Sequence, residues 1–124
     1  LDLGCGAMQW IPFTETYEKL DYTGVDGASN IVKTNIEKFS SPTKKFICCD
    51  LFKFECEDEF DLILCKDVFQ HNQMQELKDG LAQKIGSLKA NHKMIILPIN
   101  YDFPYTYIQK IDYQSDEPKT IIIF

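Results

Sequence analysis

Short apolar runs alternate along this chain with longer stretches in which apolar positions recur every three or four residues. The runs end at Leu3, Asp26, Cys49, Cys65 and Pro98 and read as strands over about 1–3, 22–26, 45–49, 60–65 and 93–98. The last of these, Lys93 to Pro98, is apolar on both sides, as a buried parallel strand requires. Between the runs, Pro12 opens a predicted short helix over 12–20. Ser29 is the predicted cap of a second helix that ends near Phe39, with Ile31, Asn35-Ile36 and Phe39 at helical spacing and Ser40-Ser41-Pro42 as the stop. The clearest helical stripe is Met74, Leu77, Leu81, Ile85 and Leu88, within a helix predicted over Gln73 to Leu88. Strands and helices in alternation predict an α/β fold, a doubly wound, mostly parallel sheet with helices on both faces. The end of the chain differs. Tyr105, Tyr107 and Ile111, then Thr120 to Phe124, predict two strands joined through Ser115-Asp116-Glu117-Pro118, with no room for a full helix after Pro98.

Chemistry concentrates where the strands end. Gly4 and Gly6 flank Cys5 directly after the first run, where the lack of a Cβ lets backbone turn sharply and approach a ligand. Asp26 closes the second run, with Gly27 beside it, and a carboxylate at that strand tip suits a pair of ribose hydroxyls. Together these residues predict a pocket for an adenosine-containing cofactor. Two details favour S-adenosylmethionine over a nicotinamide. The glycine loop continues as Ala7-Met8-Gln9-Trp10, without the third glycine that a pyrophosphate site uses. Asp2 precedes the glycines, where it would repel a diphosphate but attract a methionine ammonium.

The third run leads into Asp50-Leu51, and the fourth into Lys66-Asp67-Val68-Phe69-Gln70-His71. With these, the order LDLGCG, YTGVD, FICCDL, FDLILCKDVFQH resembles the class I S-adenosylmethionine-dependent methyltransferases over about residues 1–100. The nearest subgroup carries Gln-Trp in its glycine loop and Cys-Arg/Lys-Asp-Val after its fourth strand. The resemblance implies a Rossmann-like fold closed by an antiparallel hairpin, and one methyltransferase domain over 1–124. It implies cofactor contacts from Asp2, Gly4, Cys5, Gly6, Asp26, Gly27, Asp50, Leu51, Cys65 and Lys66. Asp50 fits the acceptor of the adenine amino group, with Leu51 on the ring, although it also suits a helix cap. Cys65 and Lys66 would follow the methionine portion through backbone atoms. Because the chain opens inside a motif, the domain is expected to lack an upstream piece at its N-terminus.

Asp67 and His71 are the candidate catalytic residues, facing the substrate opening if Val68 and Phe69 turn inward. Imidazole is the side chain best suited to take a proton from a hydroxyl near neutral pH, although a histidine at such a turn also serves as a cap or packing group. Methyl transfer from a sulfonium asks mainly for alignment and exclusion of water, so these motifs are compatible with either an oxygen or a nitrogen acceptor. The Asn/Asp-Pro-Pro-Tyr signature of enzymes acting on base amino groups is missing. Trp10, Tyr101, Tyr105 and Tyr107 suit either an aromatic wall for a sugar or ring, or the core of the closing hairpin.

Composition narrows the partners. The net charge is −6 and all 13 cations are lysine, which disfavours nucleic acid and points to a small-molecule acceptor. Five cysteines without a Cys-x-x-Cys pair, and two histidines far apart, match no zinc spacing, so no metal is expected. Reduced thiols and the lack of a membrane-length apolar run or secretory leader predict a cytoplasmic protein, with no membrane partner. Two other functions fit parts of the pattern. A non-catalytic relic or partner subunit would explain the shortened region after the fifth strand and Met8 in the glycine loop. A nicotinamide-dependent oxidoreductase would share the Gly-x-Gly and the acidic strand tip.

Overall fold

The computed structural model describes residues 1–124 and holds seven strands and two α-helices. The fold class is the predicted one, Rossmann-like α/β with antiparallel strands at the C-terminal end. Contacts within the chain gather into two compact units, Leu1–Phe54 and Glu55–Phe124.

The first unit contains β1 (Asp2–Leu3), β2 (Tyr22–Asp26), α1 (Ser29–Phe39) and β3 (Lys44–Cys48). All its strand pairs are parallel, with Leu3 beside Val25 and Asp26 beside Cys48, so the ends of the three strands line up. Its core packs Cys5, Met8, Ile11, Tyr17 and Tyr22 against Leu20, Phe39 and Phe46. Gly24 is required there because a Cβ would come within 3.0 Å of the Tyr22 ring and the Cys5 sulfur. Lys44 is buried in β3, with its ammonium donating to Leu20 O and Thr43 Oγ1 and lying over the Tyr17 ring. These partners offset the cost of taking its charge out of water.

The helix expected over 12–20 is instead two 3-10 turns, Ile11–Phe13 and Tyr17–Lys19. The Ile11 carbonyl is taken by both the backbone N–H and the hydroxyl of Thr14, which turns extended and ends the first turn. Helix α1 runs to Phe39 as expected, but Ala28 is its N-cap and Ser29 lies inside it. Its inward face also differs. Val32 and Asn35 are buried while Ile36 is exposed.

The second unit contains β4 (Glu59–Lys66), α2 (Gln75–Ser87), β5 (Lys89–Pro98), β6 (Gln109–Tyr113) and β7 (Lys119–Ile123). Strands β4 and β5 are parallel; β7 runs antiparallel to β5 and to β6, forming the expected hairpin. Helix α2 buries Leu81, Ala82 and Ile85, whereas Met74 and Leu77 at its start are exposed. The apolar stripe is therefore shorter than the periodicity implied. Strand β5 begins four residues earlier than expected because Lys89 already pairs with Glu59, and backbone pairing needs no apolar side chain. Pro98 leads to β6 through an irregular segment without a helix.

Candidate functional site

In the first unit the glycine loop and the β2 tip meet. Gly4 has φ +81° and Gly6 φ +56°, both left-handed conformations that L side chains adopt at a cost. The N–H groups of Gly4 and Cys5 both reach the Val25 carbonyl, which carries the backbone across from β1 to the end of β2. Gly6 N–H then donates to Asp26 Oδ2 at 3.0 Å. The other carboxylate oxygen, Oδ1, accepts from Ala28 N–H at 3.0 Å, just ahead of α1. Twenty residues separate Gly6 from Asp26, and the parallel register of β1 and β2 closes that distance.

Space is left above this junction. A Cβ on Gly6 would meet no heavy atom within 4 Å, so the turn presents open backbone. Each Asp26 oxygen has received one backbone donor and keeps a lone pair for a further one, such as a ribose hydroxyl. The residues present therefore fit the adenosine end of the expected cofactor. Gly27 follows Asp26, and Asp50 stands at the end of β3, where its Oδ1 accepts from Phe52 N–H at 2.9 Å. That bond makes Asp50 an Asx-turn residue at an exposed tip, with half-buried Leu51 next to it.

Asp2 is buried, and its Oδ2 accepts from the Tyr22 hydroxyl at 2.7 Å. The same hydroxyl lies 3.2 Å from Met8 Sδ. Burial first, and then the Asp2 charge, hold the Tyr22 phenol well above its ordinary range, so it remains a donor. The Cys5 thiol is pushed up to about 12 by burial and by the charges of Asp2 and Asp26. It is a packing group, and not a nucleophile, at neutral pH. Met8 takes a left-handed φ of 58° and is buried, with its Sδ against the Tyr22 hydroxyl. Sequence reasoning did not single out Tyr22, which meets Asp2, or Asn35, whose Nδ2 donates to the Gly6 carbonyl. Tyr22 had a signal, since it precedes Gly24 by two residues and so shares its strand face.

In the second unit, the end of β4 bends sharply. Cys65 is buried, Lys66 is half-buried, and Asp67 takes φ +55° with its N–H on the Ile96 carbonyl. Lys66 Nζ donates to Asp67 Oδ2 at 2.6 Å, Lys119 Nζ from β7 reaches both oxygens at 2.9 and 3.0 Å, and Gln70 Nε2 donates to Oδ1 at 3.1 Å. Partial burial alone would raise the Asp67 carboxyl, but the hydrogen bonds from Lys66 and Lys119 outweigh it and hold it below the usual carboxylate range. Lys119 had no signal in the sequence, because 52 residues separate it from Asp67.

The 3-10 turn Phe69–His71 follows, with Phe69 fully buried and His71 exposed. Phe69 packs edge-on against Phe103 at 5.5 Å, and Phe103 also meets Tyr105 and Phe124. The Tyr105 hydroxyl donates to Asp79 on α2 at 2.6 Å, which fixes the irregular segment onto that helix. Burial and this bond push the Tyr105 phenol up to about 12. Neither expectation for these aromatics describes them all: Tyr105 is half-buried against Phe69 and Phe103, Tyr101 lies under the Lys78 ammonium, and Trp10 and Tyr107 are exposed.

Residues 1–91 match the family model described as a methyltransferase domain. The chain belongs to this family. No curated protein sequence matches it. Among solved structures, this methyltransferase is similar to the N-methyltransferase NodS from Bradyrhizobium japonicum WM9 in complex with S-adenosyl-l-homocysteine. The TM-score is 0.74 at 17% identity, covering 99% of this chain and 74% of that one. It is also similar to magnesium protoporphyrin IX methyltransferase (ChlM) from Synechocystis PCC 6803 with bound SAM, with a TM-score of 0.69 at 17% identity. That match covers 98% of this chain but only 66% of ChlM. The plantazolicin methyltransferase BpumL, in complex with a triazolic desmethylPZN analog and SAH, matches 77% of this chain and 36% of its own length, at 23% identity and a TM-score of 0.61. The likenesses establish the class I S-adenosylmethionine-dependent methyltransferase fold. No helix of this methyltransferase is long and apolar enough to cross a membrane.

Proposed function

We propose that this protein transfers a methyl group from S-adenosylmethionine to an oxygen or nitrogen of a small molecule, a sugar or another metabolite. The observation that carries the reading is the 3.0 Å bond between Gly6 N–H and the Asp26 carboxylate, beside open space at Gly6. In this reading Asp26 holds the ribose hydroxyls, with Gly4, Cys5, Gly6 and Gly27 lining the approach, and Asp50 and Leu51 address the adenine. Asp2, buried and bonded to Tyr22, is assigned to the methionine ammonium through the charge it places beneath the glycine turn and not through direct contact, and Cys65 and Lys66 to the methionine portion through backbone atoms.

When bound, S-adenosylmethionine supplies an electrophilic methyl and a neutral thioether leaving group, so a base is needed only for a hydroxyl acceptor. On the acceptor side we assign His71 as the proton acceptor for a hydroxyl, since its turn is exposed. Asp67 has a different role in this reading. Its carboxylate is fully occupied by ammonium and amide donors and is a weak base, so it orients the turn rather than taking a proton. The acidic balance and absence of arginine support a small acceptor over a polynucleotide.

Calorimetry with S-adenosylhomocysteine tests the cofactor site. Binding at micromolar ligand is expected for the unaltered protein, and no heat up to millimolar ligand overturns the reading. Binding of NAD instead would favour an oxidoreductase. Binding without turnover on amines, hydroxyls, sugars and RNA would favour a non-catalytic partner subunit.

A further inference from the structure

Asn35 is almost fully buried on the inward face of α1, a position where the helical pattern would place an apolar residue. A buried amide destabilises a helix-to-core contact unless its hydrogen bonds are met. Its Nδ2 donates to the Gly6 carbonyl at 2.8 Å and lies 3.9 Å from Cys5 Sγ. A carbonyl only accepts, so this partner also fixes which way the Asn35 amide points.

Both polar groups of Gly6 are therefore tied. Its N–H is held by Asp26 and its C=O by Asn35. The two holders are joined in turn, since Asp26 Oδ1 accepts from Ala28, the N-cap of the helix that carries Asn35. A closed circuit results, from α1 through Asn35, Gly6, Asp26 and Ala28 back to α1. Nothing in the packing of Gly6 itself would keep the turn at φ +56°, because the space around its missing side chain is open. A glycine so placed is free to flip its peptide unless its hydrogen bonds prevent it.

We infer that Asn35 is a positioning residue of the cofactor pocket, locking the Gly6 peptide so that its bare face stays turned to the ligand. The inference rests on the cofactor site proposed above. Asn35 touches no ligand in this role. It acts through Gly6, and it sets cofactor affinity by sparing the cost of ordering the loop at the moment of binding.

The test compares Asn35→Ala and Asn35→Ser with the unaltered protein, using S-adenosylhomocysteine as the probe and thermal melting as the control. Asn35→Ala is expected to raise the Kd about tenfold or more at an ambient temperature where the variant remains folded. Asn35→Ser, which can donate but reaches less far, should fall between. An Asn35→Ala protein that is folded and binds within twofold of the original overturns the inference. If neither variant folds, nuclear magnetic resonance of the unaltered protein decides. The Asn35 side-chain amide protons should exchange slowly and shift together with the Gly6 amide on titration. Fast-exchanging, unshifted Asn35 protons in a protein that binds the probe overturn it. Failure of the unaltered protein to bind S-adenosylhomocysteine is a different outcome, which overturns the cofactor site and this inference with it.

Discussion

The strand ends of the two units are secured in contrasting ways. At the β2 tip of the first unit, Asp26 is held by uncharged backbone N–H groups from Gly6 and Ala28. At the β4 end of the second, Asp67 is held by two ammonium groups and an amide. Backbone donors have fixed positions and hold a carboxylate in place without occupying all its lone pairs. Lysine side chains are long, compensate its charge, and leave it little capacity for another partner. The first arrangement suits ligand binding, and the second suits holding a bend. The difference teaches that an aspartate after a strand is not a binding group by position alone.

The contrast can be broken by experiment. The largest effect is expected in the second unit's core, where Phe69→Ala removes a fully buried ring from its contact with Phe103. A loss of about 3–5 kcal/mol is expected in urea unfolding, and a loss below about 1 kcal/mol would show that the turn before His71 is not anchored by that ring. Next is Asp26→Ala, which removes the proposed acceptor of the ribose hydroxyls and frees Gly6 N–H. Affinity for S-adenosylhomocysteine should fall about a hundredfold, or about 3 kcal/mol, by calorimetry. Unchanged affinity would place the two strand-end aspartates in the same non-binding class.

Gly6→Ala sharpens the comparison further. An L residue at φ +56° costs about 1–2 kcal/mol of stability. Because its methyl would project into the open space, binding of S-adenosylhomocysteine should fall by a larger factor than stability does. Equal losses in both would mean that the space is not the ligand's.

The smallest effect concerns Lys119. The folded-state Asp67 carboxyl is held low, so its stabilising contribution is present above the unfolded value of about 3.9 and is lost as pH falls through the lower folded value. Lys119→Met takes away one of the two cations, and the Asp67 titration should move up toward the ordinary range. At neutral pH the stability change should be about 0.5–1 kcal/mol, readable from melts run between pH 3 and 7. An Asp67 titration unmoved by the substitution would mean that Lys66 and Gln70 alone hold the bend.

Much of the first unit's junction between the glycine turn and the β2 tip could be read directly from the chain. Gly4, Gly6 and Asp26 carry backbone and charge requirements that few residue types meet, and a strand pattern fixes where each stands. Less of the second unit could be read, since Phe69 turned inward as expected but the partners of Asp67 did not follow from its neighbours. Helix limits slipped where hydrogen bonds to backbone groups, and not side-chain periodicity, set the boundary, as at Thr14 and Ala28. The stripe from Met74 to Leu88 overshot because amphipathic spacing states which residues can be buried, while neighbouring elements decide which are.

By itself the sequence determined the alternation of strands and helices, the glycine turn and the acid that answers it, because each follows from local conformational preference. Tertiary structure alone decided that Asn35 points inward to Gly6, that Tyr22 reaches Asp2, and that Lys119 meets Asp67. Those pairings depend on strand register and helix rotation, which are properties of the packed chain and have no signature in any short stretch of it.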